Sequence, residues 1–260
     1  MTNTIEIPSC VNAVSPISTV SGRYGFIPSN EVISAFDKEG WKLTQASAVK
    51  VRKPDRQGYQ KHLLRFVHHS QAHINTGHRM ETVFINSHDK TSGVVLGSGV
   101  FRFVCSNGLM VADSTIQGFK LYHTGLTMDR VITCAHDLLQ QQGKVAETID
   151  RWKEIKLDRD HSLELARAGL ELRWGADPTK YPISAEVLLT PRRQDDVEDT
   201  LWNVFNRVQE NTINGGLLDR TRTRDNGRSF RLTRNIKSIT ANHDINIGLW
   251  DTANELALAY

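Results

Sequence analysis

Seven basic residues are concentrated between positions 219 and 237, and their spacing is that of a β-hairpin. Three arginines recur with a period of two before an Asp225-Asn226-Gly227 turn, so one face of a strand would carry them all. Alternate residues of a strand are about 6.6–6.8 Å apart, which is comparable to phosphate separations in an extended single strand. The segment therefore predicts contacts with a nucleic-acid backbone through Arg220, Arg222, Arg224, Arg228, Arg231, Arg234 and Lys237.

The charge of this segment is local. Residues 219–237 carry a net charge of +5 within a chain of net charge +3, so the remaining residues are slightly acidic. A concentrated patch indicates an anionic partner more than a generally adhesive surface. Arg192 and Arg193 are expected to add to it, and the aromatic residues predicted to stack on bases are Phe230, Tyr122 and Trp202. The alternative is a solvated face that pairs with the acids between Asp195 and Asp199.

Histidines form the second group that could do chemistry. His68, His69, His73 and His78 lie within eleven residues, and His88-Asp89 follows. A metal-dependent nuclease that uses His68, His73, His88 and Asp89 is therefore an alternative. However, the spacing matches no closed zinc pattern and no cysteine joins the group, so no metal ligand is predicted.

Cys105, at the end of GVFRFVCSNGL, shares a strand face with Phe101 and Phe103, which predicts a buried thiol rather than a nucleophile. The sequence has no phosphate-binding GxxxxGK[ST] loop, no HExxH and no GxSxG. We therefore predict no catalytic residue and no cofactor. Three widely spaced cysteines, no signal peptide and no apolar run near ~20 residues predict a reduced, cytoplasmic protein outside the membrane.

The elements that must position these residues predict an α+β fold. A short helix after Ser29 precedes four extended segments, at 41–52, 59–69, 80–86 and 93–105, joined by turn sequences. They predict an antiparallel meander packed on a long helix from about Asp129. Further helices are expected at about 162–173, 195–210 and the C-terminus, with the basic hairpin before the last. Residues 1–22 are expected to form a flexible arm, and 23–260 a single domain.

Several phrases, among them GVFRFVCSNGL, LLTPRRQDD, LWNVFNRVQENTINGG and INIGLWDTANELA, occur in an order that resembles the phage/plasmid-like protein family catalogued as domain of unknown function 932. The resemblance covers about Arg23 to Ala257 and implies a single family domain and an origin in a mobile element. The order of helix, meander and long helix is also similar to the core of single-strand annealing proteins. That similarity implies assembly into rings or filaments that hold DNA in a basic groove.

Together these observations predict a non-enzymatic single-stranded DNA-binding and annealing protein of a phage or plasmid. It would act as a homo-oligomer in the cytoplasm of a bacterial host. The alternatives are the metal-dependent nuclease and a protein that binds a host recombination or defence factor. A basic hairpin can dock on an acidic protein as well as on phosphate.

Overall fold

A computed structural model describes residues 5–71, 78–102, 108–111, 118–219 and 231–260. The chain divides into two compact units, residues 1–143 and 144–260. Among the described residues, no helix is long and apolar enough to cross a membrane. The mixed helices and antiparallel sheet confirm the predicted α+β fold class.

The first unit is built on a six-stranded antiparallel sheet in the order β1-β2-β3-β4-β5. The sixth strand also pairs with β4, so β5 and β6 follow one another along the same edge. The strands are β1 (Trp41–Ala48), β2 (His62–His68), β3 (His78–Asn86), β4 (Val94–Arg102), β5 (Gly108–Val111) and β6 (Phe119–Leu121).

Helix α1 (Ser29–Lys38) covers the first two strands. Its buried Phe36 lies 5.2 Å from Trp41 and 4.8 Å from Phe66, measured between ring centres. Along β2, buried and half-buried residues alternate from His62 to His68, as expected for a strand whose two faces differ. The apolar face of the meander is therefore the core of this unit.

The long helix α2 (Met128–Glu154) starts in the first unit and ends in the second. In the first unit its buried Val131, Ala135 and Leu138 follow the helical period, and Gln142 Nε2 lies 3.5 Å from Ser98 Oγ of β4. The helix thus packs on the meander, as predicted.

The second unit is mainly helical. Its elements are the end of α2, then α3 (Arg159–Trp174), α4 (Ala185–Leu188), α5 (Leu201–Asn214), β7 (Leu218–Asp219), β8 (Arg231–Leu232) and α6 (Ile239–Ala257). Trp152 lies 4.3 Å from Trp250 and 5.4 Å from Phe205 between ring centres. These aromatic rings form the centre of the core.

Within residues 1–22, predicted to form the N-terminal arm, Cys10 and Val11 are fully buried in a 3₁₀ turn at Ser9–Asn12. Burial of two apolar side chains holds that part of the arm on the first unit. Helix α5 begins at Leu201 rather than 195, because Thr200 caps it by accepting a hydrogen bond from Asn203 N. Cys105 lies outside the described residues.

Candidate nucleic-acid interface

The C-terminal end of α5 determines where the basic segment begins. After Asn214 the chain turns through two glycines with left-handed backbones, at φ +62° for Gly215 and +71° for Gly216. A Cβ on Gly215 would lie 2.6 Å from the carbonyl oxygens of Thr233 and Arg234. Only glycine fits this turn without displacing the backbone that returns from the hairpin.

Backbone hydrogen bonds join the two strands of what we call the hairpin base, residues 215–219 and 231–237. Gly216 N donates to Thr233 O at 2.7 Å, and Thr233 N donates to Leu217 O at 2.8 Å. Ile236 N donates to Ile213 O of α5 at 2.9 Å. The hairpin base is therefore attached directly to the end of a buried helix.

Three predicted phosphate contacts lie on the return side of the hairpin base. Arg231, Arg234 and Lys237 are all exposed. None forms an ion pair with a side chain that the structure describes. Their positive charges therefore face solvent, and no carboxylate among the described side chains neutralises them.

Arg192 points to the same turn. Its Nε donates to Asn211 Oδ1 at 2.5 Å and its Nη2 donates to the Gly215 carbonyl. Asn211 is itself fixed, because its Nδ2 donates to the carbonyls of Leu188 and Thr190 at 2.9 and 2.8 Å. The exposed Arg192 has no carboxylate partner within the described chain, so it keeps its charge while its position is set.

The neighbouring Arg193, unlike Arg192, has a carboxylate partner. Its Nε and Nη2 donate to the two carboxylate oxygens of Glu210 at 3.0 and 2.8 Å. This bidentate pair neutralises the charge inside the fold. The prediction that Arg193 offers an open charge to phosphate is therefore wrong, because an acid of α5 already binds it.

The aromatic residues predicted to stack on bases also differ in their exposure. Trp202 is 3% exposed and packs on Trp152 and Phe205 of the core, so the prediction that it stacks on bases is wrong. Tyr122, which follows β6 in the first unit, is 74% exposed and stays a prediction. Four predicted arginines and one aromatic residue lie outside the described residues: Arg220, Arg222, Arg224, Arg228 and Phe230.

Sequence reasoning missed Arg173, in the last turn of α3. Its Nη1 donates to the Thr212 carbonyl in the last turn of α5, and its Nη2 donates to the Arg234 carbonyl on the return side of the hairpin base. The guanidinium carbon lies 4.4 Å from the centre of the Trp174 ring. Burial lowers the pKa of Arg173 to about 10. No spacing in the sequence connects positions 173 and 234, so only the fold reveals the contact.

The described histidines do not assemble as a metal-dependent nuclease requires. His68 is the last residue of β2, and His62 is the first. The two are six residues apart, about 20 Å along the strand. His88 lies near His62, at the end of β2 far from His68. Asp89 Oδ1 accepts hydrogen bonds from Thr91, and His73 lies outside the described residues. Among the described side chains, no group of three or more potential ligands could hold a metal.

A buried serine–histidine pair was also missed. Ser29 Oγ lies 2.7 Å from His62 Nε2, and His62 Nδ1 lies 2.9 Å from the Gln60 carbonyl. Since Nδ1 must donate to that carbonyl, the Ser29 hydroxyl donates to Nε2. This is the arrangement of a nucleophile and its base, but both residues are 0% exposed, so a substrate has no access. The pair instead satisfies polar groups beneath α1.

Comparison with known proteins identifies the family. The family model described as "Domain of unknown function (DUF932)" matches residues 16–244. The chain belongs to the DUF932 family. Two Escherichia coli (strain K12) relatives are UPF0380 protein YafZ, 34% identical, and UPF0380 protein YfjQ, 33% identical. Each is aligned over 237 residues, 91% of this chain and 83% of the relative.

No solved structure gives a significant match. The DUF932 match extends through both compact units and includes the Gly215 turn, Arg173, Arg192 and the hairpin base. It begins after the buried Cys10 and Val11 and ends within α6.

Proposed function

We propose that this DUF932 protein is a non-enzymatic single-stranded DNA-binding and annealing protein of a phage or plasmid. It works in the bacterial cytoplasm as a ring-shaped or filamentous homo-oligomer. One observation carries the proposal: Arg192, Arg231, Arg234 and Lys237 are exposed at or beside the hairpin base without a described carboxylate partner.

Electrostatics explains why such a cluster favours a polyanion. Like charges that are held close together repel one another, and a bound polyanion relieves that repulsion. Each neutralised phosphate also releases condensed counterions, which makes binding salt-dependent. The sequence continues the patch into the hairpin with four more arginines. Contacts with phosphate need no particular base, which is what an annealing protein requires of its ligand.

Annealing and a mobile-element origin rest on the family resemblance and on the order of the elements. A helix, an antiparallel meander and a long helix follow one another in this chain, as in the core of single-strand annealing proteins. This is an analogy of fold, and it assigns no residue a role. It is consistent with a sequence that lacks nucleotide-binding and hydrolase motifs.

Fluorescence anisotropy with a labelled single-stranded oligonucleotide tests the proposal. We expect binding that weakens as salt rises, with a logarithmic slope of about −0.7 for each phosphate neutralised. The double variant Arg231→Glu/Arg234→Glu should lose at least tenfold in affinity, about 1.4 kcal/mol or more, for every base sequence alike.

The matched control is Arg52→Glu/Lys53→Glu, which makes the same charge change at exposed positions between β1 and β2. It should bind nearly as well as the unmodified protein. Undetectable binding, binding that ignores salt, or equal losses in both double variants would each refute the proposal. Light scattering with and without the oligonucleotide tests assembly. Quenching of the oligonucleotide's fluorescence on addition of the complementary strand tests annealing.

A further inference from the structure

Arg173 is an unusual cation for its position. It is half-buried at the end of α3, burial lowers its pKa to about 10, and no carboxylate within the described residues pairs with it. A buried charge is costly unless its hydrogen bonds are satisfied. Here two backbone carbonyls, those of Thr212 and Arg234, accept hydrogen bonds from its two terminal nitrogens. An uncharged residue at this site would avoid the desolvation cost but could not form both hydrogen bonds.

One of the two carbonyls comes before the hairpin base in the chain, and the other lies in its return segment. Thr212 is in the last turn of α5, before β7, and Arg234 follows β8. A planar guanidinium has donors in a fixed fork, so it can bridge the two segments at one separation and orientation. Arg173 thereby connects the last turn of α3 to the last turn of α5 and to the return segment of the hairpin base.

Arg192 makes the second attachment to the same turn, through the Gly215 carbonyl. The Arg234 carbonyl that Arg173 binds is also the atom that leaves no space for a Cβ on Gly215. The two guanidinium groups thus converge on one backbone turn from different elements. The direction in which Arg231, Arg234 and Lys237 leave the fold depends on that turn.

We propose that Arg173 is a positioning residue: it fixes the orientation of the hairpin base so that neighbouring cations meet consecutive phosphates, and it binds no phosphate itself. The proposal rests on the proposed function for the identity of the ligand. Its geometric part, the attachment of the hairpin base by Arg173, stands independently of any ligand.

The salt slope distinguishes positioning from direct contact. Arg173→Met should weaken binding of a single-stranded oligonucleotide roughly tenfold, about 1.4 kcal/mol, and leave the slope unchanged. Arg234→Ala removes a direct contact and keeps the carbonyl that Arg173 binds, so it should reduce the slope by about 0.7. The matched control is Arg167→Met, an exposed arginine of the same helix, which should change neither quantity.

Amide hydrogen exchange gives a readout that needs no DNA. Arg173→Met should speed exchange at Gly216, Thr233 and Ile236, whose amides attach the hairpin base, while amides in the middle of α5 stay protected. If circular dichroism shows that Arg173→Met is unfolded, Arg173→Lys, which keeps the charge but loses the fork, is judged by the same criteria.

Three results would overturn the inference: unchanged affinity, a slope reduced as in Arg234→Ala, or unchanged exchange at the hairpin base. Failure of the proposed function looks different, because the unmodified protein would then show no salt-dependent binding. In that case faster exchange in Arg173→Met would still establish the positioning of the hairpin base.

Discussion

Gly215 and Gly216 share a left-handed backbone but differ in their surroundings. A Cβ on Gly215 would lie 2.6 Å from two carbonyl oxygens, whereas a Cβ on Gly216 would have nothing within 4 Å. Gly216→Ala should therefore cost about 1 kcal/mol, the price of positive φ alone. Gly215→Ala should cost at least about 2 kcal/mol, because the backbone of the hairpin base must also move. Urea denaturation of both variants measures this difference, and equal losses would contradict the crowding at Gly215.

The polar residues of α5 show what a sequence cannot indicate at the level of single side chains. The motif NRVQENTINGG contains Asn206, Gln209, Glu210 and Asn211, all of which are buried. Their type alone predicts exposure. They are buried because other segments supply partners, for example Asn246 for Gln209 and Leu188 for Asn211. Such partners are distant in sequence. Neither these contacts nor the ion pair of Arg193 with the Glu210 carboxylate could therefore be predicted.

At the scale of the element, two helical glycines should respond oppositely to the same substitution. Gly143 of α2 is exposed with free space around it, so Gly143→Ala should stabilise the protein by about 0.5–1 kcal/mol through helix propensity. Gly169 of α3 is buried, and its Cβ would lie 2.9 Å from Thr212 Oγ1 and Val208 Cγ1 of α5. Gly169→Ala should destabilise by about 1–3 kcal/mol by forcing the helices apart. Thermal denaturation followed by circular dichroism tests both signs, and a gain at Gly169 would contradict close packing of α3 on α5.

Elements with strong periodicity were predictable, and those fixed by tertiary contacts were not. The four strand segments and α2 follow from alternation and from the spacing of apolar residues by threes and fours. Helix α6 starts at Ile239, about ten residues before its recognisable apolar part, because Ser238 caps it through Ala241 N. Within α6, Gly248 leaves space for the side chain of Leu172 of α3, which in its present rotamer would lie 2.5 Å from a Cβ there. That contact exists only once the two helices meet.

At the scale of the whole molecule, buried histidines are concentrated in one unit. His62, His88 and His123 are fully or almost fully buried, and all belong to residues 1–143. Burial lowers the pKa of each of them. The basic hairpin base belongs to the other unit.

This distribution predicts acid sensitivity of the first unit. Burial, and to a smaller extent the neighbouring His62 and His123, lower the pKa of His88 from 6.5 to about 3. Between these values the unfolded chain binds a proton that the folded chain does not. Stability is therefore complete above pH 6.5 and falls as the pH decreases. The titration of His88 alone should lower the free energy of unfolding by about 2 kcal/mol between pH 6.5 and pH 5, at about 1.4 kcal/mol per pH unit.

Denaturant unfolding at pH 7.5, 6 and 5 measures this loss for the unmodified protein and for His88→Gln, which cannot titrate. The variant should be less stable at pH 7.5, because the glutamine replaces a packed ring that contacts Phe26 and His62. Its stability should nevertheless depend less steeply on pH, by up to about 1.4 kcal/mol per unit. A variant at His88 with the unmodified slope would mean that this ring already exchanges its proton with solvent in the folded protein.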